Sequence, residues 1–323
     1  MKAILYDRPG APEVLYYGDA PDPIPAEGEL LIRVHATALN RADLLQRAGG
    51  YNPPSGASPI LGLELAGEVL QAAHGFKAGD RVMGVVTGGA YAQIAALPAG
   101  MAMPIPETYS FVEAAAIPEA FLTAYLNLFT LGHLKKGESV LIHAGASGVG
   151  TAAIQLAKAA GAQIFATAGS DQKLALCREL GAEHTIHYKT DSFSQRVLEA
   201  TQQRGVDMIL DFIGAPYWND NLTSLAVGGR LLMIGMMGGS VGELALSAIL
   251  PKSLTIAGTT LRRTPLHQKI QLTRDFLDFG RNRLENRALR PIIDRIFPLE
   301  QAADAHRYMH SNANSGKIVL NVS

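Results

Sequence analysis

A single cysteine, Cys177, stands in a chain of 323 residues. That scarcity excludes an internal disulfide and every zinc site built on two or more thiolates. An excess of either charge is missing too. Lys and Arg number 28 against 29 Asp and Glu, for a formal net charge of −1 and a pI near 6.8. Without a basic field, neither nucleic acid nor an anionic lipid surface is expected as the main partner. Charged residues are sparse, at 18% against 48% apolar ones. This balance excludes a disordered chain, a collagen-like chain and a coiled coil. No secretory leader is legible, because residues 1–9 are charged and their apolar part is short. The uncharged stretches 82–106 and 139–157 are broken by glycine, and the first also by proline. Neither reads as a membrane span. A soluble, cytoplasmic protein is expected.

What is present suffices for two domains of ~150 residues, each able to bury a core without staples. Residues 3–6, 30–36, 64–72, 81–86 and 91–97 read as short strands. Pro21, Pro23 and Pro25 mark an extended connection, residues 40–48 are helical in pattern, and 49–54 form a loop by their chemistry. A sheet-rich, barrel-like domain is predicted. From Ser110 the texture changes, with helical patterns over 111–116 and 120–131. Strands then read at 139–143, 163–167, 184–187, 207–212, 230–235 and 254–258, with helices at 149–160, 172–180, 192–203 and 217–225. Such α/β alternation predicts a six-stranded, doubly wound parallel sheet of the Rossmann kind. Helices at 266–279 and about 299–310, then a strand at 317–322, return to the first domain. The expected division is 1–119, 120–262 and 263–323.

The strongest local signal follows the strand at 139–143. Gly145, Ser147, Gly148, Val149 and Gly150 lead directly into a helix. Small residues let the backbone turn sharply and approach a pyrophosphate, and the helix N-terminus offers unpaired N–H groups. An NAD site wants a carboxylate at the end of the second strand, for the ribose 2′-hydroxyl. Thr167, Ala168, Gly169 and Ser170 stand there instead. Ser170 and Lys173 suit a 2′-phosphate, and Tyr188 after the third strand adds a hydroxyl. Asp171 keeps the ribose reading open, but the balance favours NADP(H).

Four segments together resemble a known family: residues 38–44 (ALNRADL), 59–67 (PILGLELAG), the AGASGVG turn, and 315–320 (SGKIVL). The chain is similar over nearly its whole length to the medium-chain dehydrogenase/reductase superfamily, in its zinc-free, zeta-crystallin-like quinone oxidoreductase branch. The loop at Tyr51 and residues 114–120 look like the tumour-suppressor-inducible quinone oxidoreductase subgroup. The resemblance implies a GroES-like catalytic domain with the Rossmann domain inserted in it. Zinc-dependent relatives carry a cysteine near Asn40 and a histidine at the place of Leu63. Neither residue here rebuilds that site, and no metal is expected. The resemblance puts Asn40 and Tyr51 near the nicotinamide, with Tyr51 also touching the cofactor. It implies further cofactor contacts from Gly169, Gly214, Met236, Met237, Gly238, Leu261, Arg262 and Lys317. It also implies a homodimer through the edge strand at 254–258, with a tetramer open.

A quinone is itself a strong hydride acceptor, and its reduced oxygen is a stabilised anion. A few hydrogen-bond donors can then replace a Lewis acid. The amide of Asn40 and the phenol of Tyr51 are the expected donors. The expected function is NADPH-dependent reduction of ortho- or para-quinones. The alternatives are reduction of alkenals or enones, which requires a proton at carbon, and a non-catalytic NADPH-binding structural protein. Asp43, Glu64 and His143 read as structural, and Cys177 as a packing residue.

Overall fold

Leu30, Ile32, Val34 and Ala36 alternate along one run and are almost wholly buried, the signature of a half-covered strand. The computed structural model describes residues 1–322. It divides into two compact units, Met1–Leu122 with the segment from Arg262 onward, and Thr123–Leu261.

In the first unit, β1 (Lys2–Leu5) and β2 (Tyr16–Asp19) pair antiparallel. Next come β3 (Glu29–Ala38), α1 (Arg41–Arg47), β4 (Glu64–Val69), β5 (Arg81–Val85), β6 (Ile94–Pro98), β7 (Met103–Pro104), α2 (Phe111–Ala115) and α3 (Pro118–Tyr125), the last three residues of which belong to the second unit.

The second unit adds β8 (Ser139–Ile142), α4 (Gly148–Ala159), β9 (Gln163–Ala168), α5 (Asp171–Leu180), β10 (His184–His187) and α6 (Phe193–Ala200). It continues with β11 (Val206–Asp211), α7 (Trp218–Ser224), β12 (Leu225–Met233), α8 (Ile249–Lys252) and β13 (Thr255–Gly258). The chain then supplies α9 (Leu266–Glu285), β14 (Ile293–Pro298), α10 (Ala302–His310) and β15 (Lys317–Asn321) to the first unit.

The large sheet of the first unit runs β14-β15-β3-β4-β5-β7, with β6 also on β3. A register shift between Val34 and Ala36 marks a bulge in β3, which bends the strand. Its first half pairs with β6, and its end pairs with β15, Val319 lying opposite Ala38. Ile4, Leu39, Leu61, Tyr91, Ile318 and Leu320 pack into one core there. β2 and β14 are strands that the sequence pattern did not mark.

The second unit holds a six-stranded sheet in the order β10-β9-β8-β11-β12-β13, with every pair parallel. This is the doubly wound dinucleotide-binding order. Leu141, Phe165, Ile209, Leu222 and Leu231 lie in its core. Three successive helices open on serine caps: Ser147, Ser170 and Ser192 accept from the N–H of Gly150, Lys173 and Gln195. Each cap is worth about 1 kcal/mol.

Phe111–Leu131 is the one helical run among the described residues with the length and apolarity of a membrane span. Of its 18-residue window, 72% is buried inside the protein, as in a core helix. It differs from the two stretches singled out in the sequence.

Candidate active site

The second unit gathers its candidate residues at the carboxyl ends of its strands. The Gly145 N–H donates to Thr167 O at 2.9 Å, tying the turn after β8 to β9. A Cβ on Gly150 would stand 2.4 Å from Ala144 O, so only glycine fits at this crossing. The opening amides of α4, at Gly148 and Val149, have no intrahelical acceptor. They and the helix dipole suit a pyrophosphate.

β9 and β10 run side by side with Ala168 opposite His187. Gly169 and Tyr188 therefore meet: a Cβ on Gly169 would come within 2.6 Å of the Tyr188 hydroxyl. Ser170 caps α5, and Lys173 lies in its first turn. Ser170, Lys173 and Tyr188 thus share one end of the sheet, with exposed Asp171 beside them.

Gly214 and the segment after β12 are joined as well. Ala215 N–H donates to Gly239 O at 3.0 Å, and Gly238 N–H to Ile213 O at 2.9 Å. Met236 and Met237 are exposed there, and Leu261 is buried. A buried chain of side chains supports this loop. His143 Nε2 lies 2.7 Å from Asn221 Oδ1, and Asn221 Nδ2 donates to Asp211 Oδ2 at 3.2 Å. Asp211 Oδ1 accepts from the N–H of Ile213 (2.7 Å) and Gly214 (3.2 Å). Since Asn221 gives its N–H to Asp211, the hydrogen of His143 sits on Nε2. Burial pushes His143 down to about 4, so the ring stays neutral. Reading the sequence missed this role, because no local spacing links residues 143, 211 and 221.

In the first unit, the pairing of β15 with β3 carries Lys317 to the start of α1. Its Nζ lies 2.7 Å from each of Leu39 O, Asn40 Oδ1 and Glu64 Oε1. An ammonium has three donors, and all are spent. The Lys317 ammonium is thus engaged within the chain.

Asn40 is engaged in the same way. Its Oδ1 faces Lys317, so Nδ2 is the donor side. Nδ2 donates to Glu64 Oε1 at 2.9 Å and to Ala38 O at 3.3 Å. Both amide hydrogens are engaged inside the chain. Glu64 Oε2 accepts from the Glu119 N–H at 2.8 Å.

Asp43 accepts from the N–H of Asn40 (2.8 Å) and Gly62 (3.2 Å) and from the Tyr91 hydroxyl (3.3 Å). Burial nevertheless pushes its carboxyl up to about 6. Gly62 has φ +99°, and a Cβ there would press on Tyr91 at 2.5 Å. Burial, and then the Glu64 carboxylate, push Glu119 up to about 8. Among the described residues, no group of three or more His, Cys, Asp and Glu is placed to hold a metal.

Tyr51 lies half-buried in the loop between α1 and β4, and its hydroxyl makes no hydrogen bond to any described residue. The Arg262 guanidinium lies 5.4 Å from the centre of its ring, within cation–π range. Arg262 is buried. Its Nε and Nη2 donate to Thr87 O at 3.0 and 2.6 Å, and its Nη1 to Gln46 Oε1 at 2.7 Å.

Residues 148–278 match the family described as zinc-binding dehydrogenase, and residues 26–107 match the alcohol dehydrogenase GroES-like domain. The quinone oxidoreductase of Rattus norvegicus is 32% identical over an alignment of 327 positions, covering 99% of this chain and 97% of that protein. The crystal structure of Escherichia coli quinone oxidoreductase complexed with NADPH has a TM-score of 0.89 at 30% identity, covering 100% of both chains. A crystal structure of an NAD-dependent alcohol dehydrogenase also has a TM-score of 0.89, at 32% identity, with 100% of both chains covered.

Proposed function

This chain belongs to the medium-chain dehydrogenase/reductase superfamily, with quinone oxidoreductases among its full-length relatives, and from that premise we propose that it reduces quinones with NADPH and without zinc. One observation carries the reading. The charge of buried Glu64 is met by an internal ammonium, Lys317, at 2.7 Å. Both oxygens of Glu64 are thus engaged within the chain, by Lys317, the Asn40 amide and the Glu119 N–H, which supports a site that works without a Lewis acid. A substrate that is already a strong hydride acceptor needs none.

The residues of the second unit fit the cofactor. The amides of Gly148 and Val149 would hold the pyrophosphate. Ser170, Lys173 and Tyr188 would hold the 2′-phosphate, where an NAD site would keep a carboxylate at the strand end. Gly214 and residues 236–238 would line the nicotinamide. When bound, the nicotinamide supplies the hydride. Tyr51, with its hydroxyl unengaged, donates a hydrogen bond to the quinone oxygen as that oxygen gains charge. Asn40 acts by fixing the start of α1 and not as a donor.

A homodimer through β13 belongs to the same proposal. β13 is the outer strand of its sheet. Val241, Leu246 and Leu250 in the preceding segment are 92%, 61% and 84% exposed. Pairing β13 with its twin would hide two open edges, and the exposed apolar segment supports a contact there.

The test is consumption of NADPH and NADH against a panel of ortho-quinones, para-quinones and 2-alkenals, with products identified. Quinone-dependent use of NADPH over NADH is expected. Alkenal saturation with negligible quinone turnover would overturn the substrate, and a preference for NADH would overturn the cofactor.

A further inference from the structure

We infer that Arg262 is the positioning residue of Tyr51, holding both ends of the loop that carries it as well as the ring itself. The inference rests on the reading that Tyr51 acts on the quinone. The loop leaves α1 after Arg47 and enters β4 at Glu64. At its start stands Gln46, whose Oε1 accepts from Arg262 and whose Nε2 donates to the Tyr6 hydroxyl at 3.3 Å. The second bond turns the amide so that its oxygen faces the guanidinium.

At the far end of the loop, Ser58 and Ile60 rest on the turn at Gly88 and Gly89. Gly89 N–H donates to Ile60 O at 2.8 Å. A Cβ on Gly88 would lie 2.8 Å from Ser58 O. Thr87, whose carbonyl takes two bonds from Arg262, directly precedes that turn. Tyr51 lies between the two anchors, under the guanidinium.

The partners of Arg262 distinguish it from an ordinary buried cation. Buried charges are normally paired with opposite ones. Here no carboxylate among the described residues hydrogen-bonds to the guanidinium. Its partners are one carbonyl, one side-chain amide and one aromatic face. A planar fork that both donates and stacks can serve all three, whereas an ammonium cannot. The sequence allows one substitution that keeps the charge and removes the fork.

Arg262→Lys is therefore the test, read by amide hydrogen exchange over residues 49–57, by quinone kcat and by the NADPH Kd. The losses of stacking and of a bidentate hydrogen bond predict roughly tenfold faster exchange in the loop and roughly tenfold lower kcat. The NADPH Kd should stay within about twofold, and the amides of β3 and β4 should keep their protection. Gln46→Met deletes one acceptor with arginine in place. It should move loop exchange and kcat in the same direction, and it decides alone if Arg262→Lys does not fold.

Loop exchange unchanged in the folded variants overturns the inference. So does exchange that rises equally in β3 and β4, which is the mark of a general core role. Tyr51→Phe, run in parallel, separates the two readings. If its turnover matches the wild type, the role of Tyr51 in the reaction falls, while the loop exchange still decides whether Arg262 positions it.

Discussion

Glu119 offers the sharpest test of the charge balance in the first unit. Burial and the Glu64 carboxylate raise its carboxyl from 4.5 to about 8. The folded protein therefore holds a proton that the unfolded chain releases above the ordinary value. For a carboxyl raised in this way, stability is full below the unfolded value and falls until the folded group ionises near 8. His143 and His306 act oppositely, because burial holds them down at about 4 and about 3. Their contribution grows with pH, is half complete near pH 6.5, where the unfolded histidines are half neutral, and levels off about one unit above. Asp43, raised only to about 6, titrates mostly below that range. Glu119→Gln leaves those three groups in place, so the difference between wild type and variant from pH 6.5 to 8 belongs to Glu119. One proton over that interval corresponds to about 2 kcal/mol. Solvent screening at a partly exposed side chain reduces this to about 1 kcal/mol. Glu119→Gln keeps the shape and removes the titration. Urea unfolding at pH 6.5, 7.3 and 8 should show the wild type losing that amount relative to the variant, with a Tm difference of about 2–4 °C at pH 8. Parallel curves for the two proteins would refute the argument.

Lys317→Met leaves Glu64 buried and unpaired and should cost about 3–5 kcal/mol in urea unfolding. Adding Glu64→Gln should recover most of it, and equal losses in single and double variants would remove the charge-balance account. Lys173→Ala should weaken NADPH by about ten- to a hundredfold in a binding titration, through the loss of a charged hydrogen bond. NADH should be almost unaffected, and equal effects would end the 2′-phosphate assignment. Treatment with a metal chelator should leave quinone turnover intact, and its loss would sink the zinc-free reading.

What was legible in the sequence depends on how locally each feature is decided. The six strands of the second unit are short apolar runs bounded by helices, and their parallel order follows from that alternation. The turn from Gly145 to Gly150 is legible for the same reason, since its constraint lies within a few residues. β2 and β14 were not legible. Both expose most of their residues, so neither carries the apolar run that marks a strand, and each exists because a neighbouring strand offers its ladder. In the first unit the residue types were legible but their directions were not. Nothing near Asn40 tells which side of its amide faces inward. That is decided by Lys317, which lies 277 positions away. Arg262 and Thr87 are separated by 175 positions in the same way.

The direction of the Asn40 amide has a consequence for substrate choice. If both Asn40 and Tyr51 were free to donate, the first unit could stabilise a full alkoxide by two hydrogen bonds, and simple ketones would come within reach. With the hydrogens of Asn40 held by Glu64 and Ala38, the proposed mechanism leaves Tyr51 as the donor. One preorganised donor contributes about 10²–10³ in rate. The rest of the barrier has to be met by orientation and by the acceptor's own ability to hold negative charge. A quinone delocalises that charge over its ring, whereas an isolated ketone cannot. On the proposed reading, Lys317 beside Glu64 limits the chemistry twice: it meets the charge of a buried acid, and its contact with the Asn40 oxygen leaves the amide hydrogens on Glu64 and Ala38. A dialkyl ketone should remain unreduced at concentrations where quinones turn over, and measurable ketone reduction would show that a second donor is present.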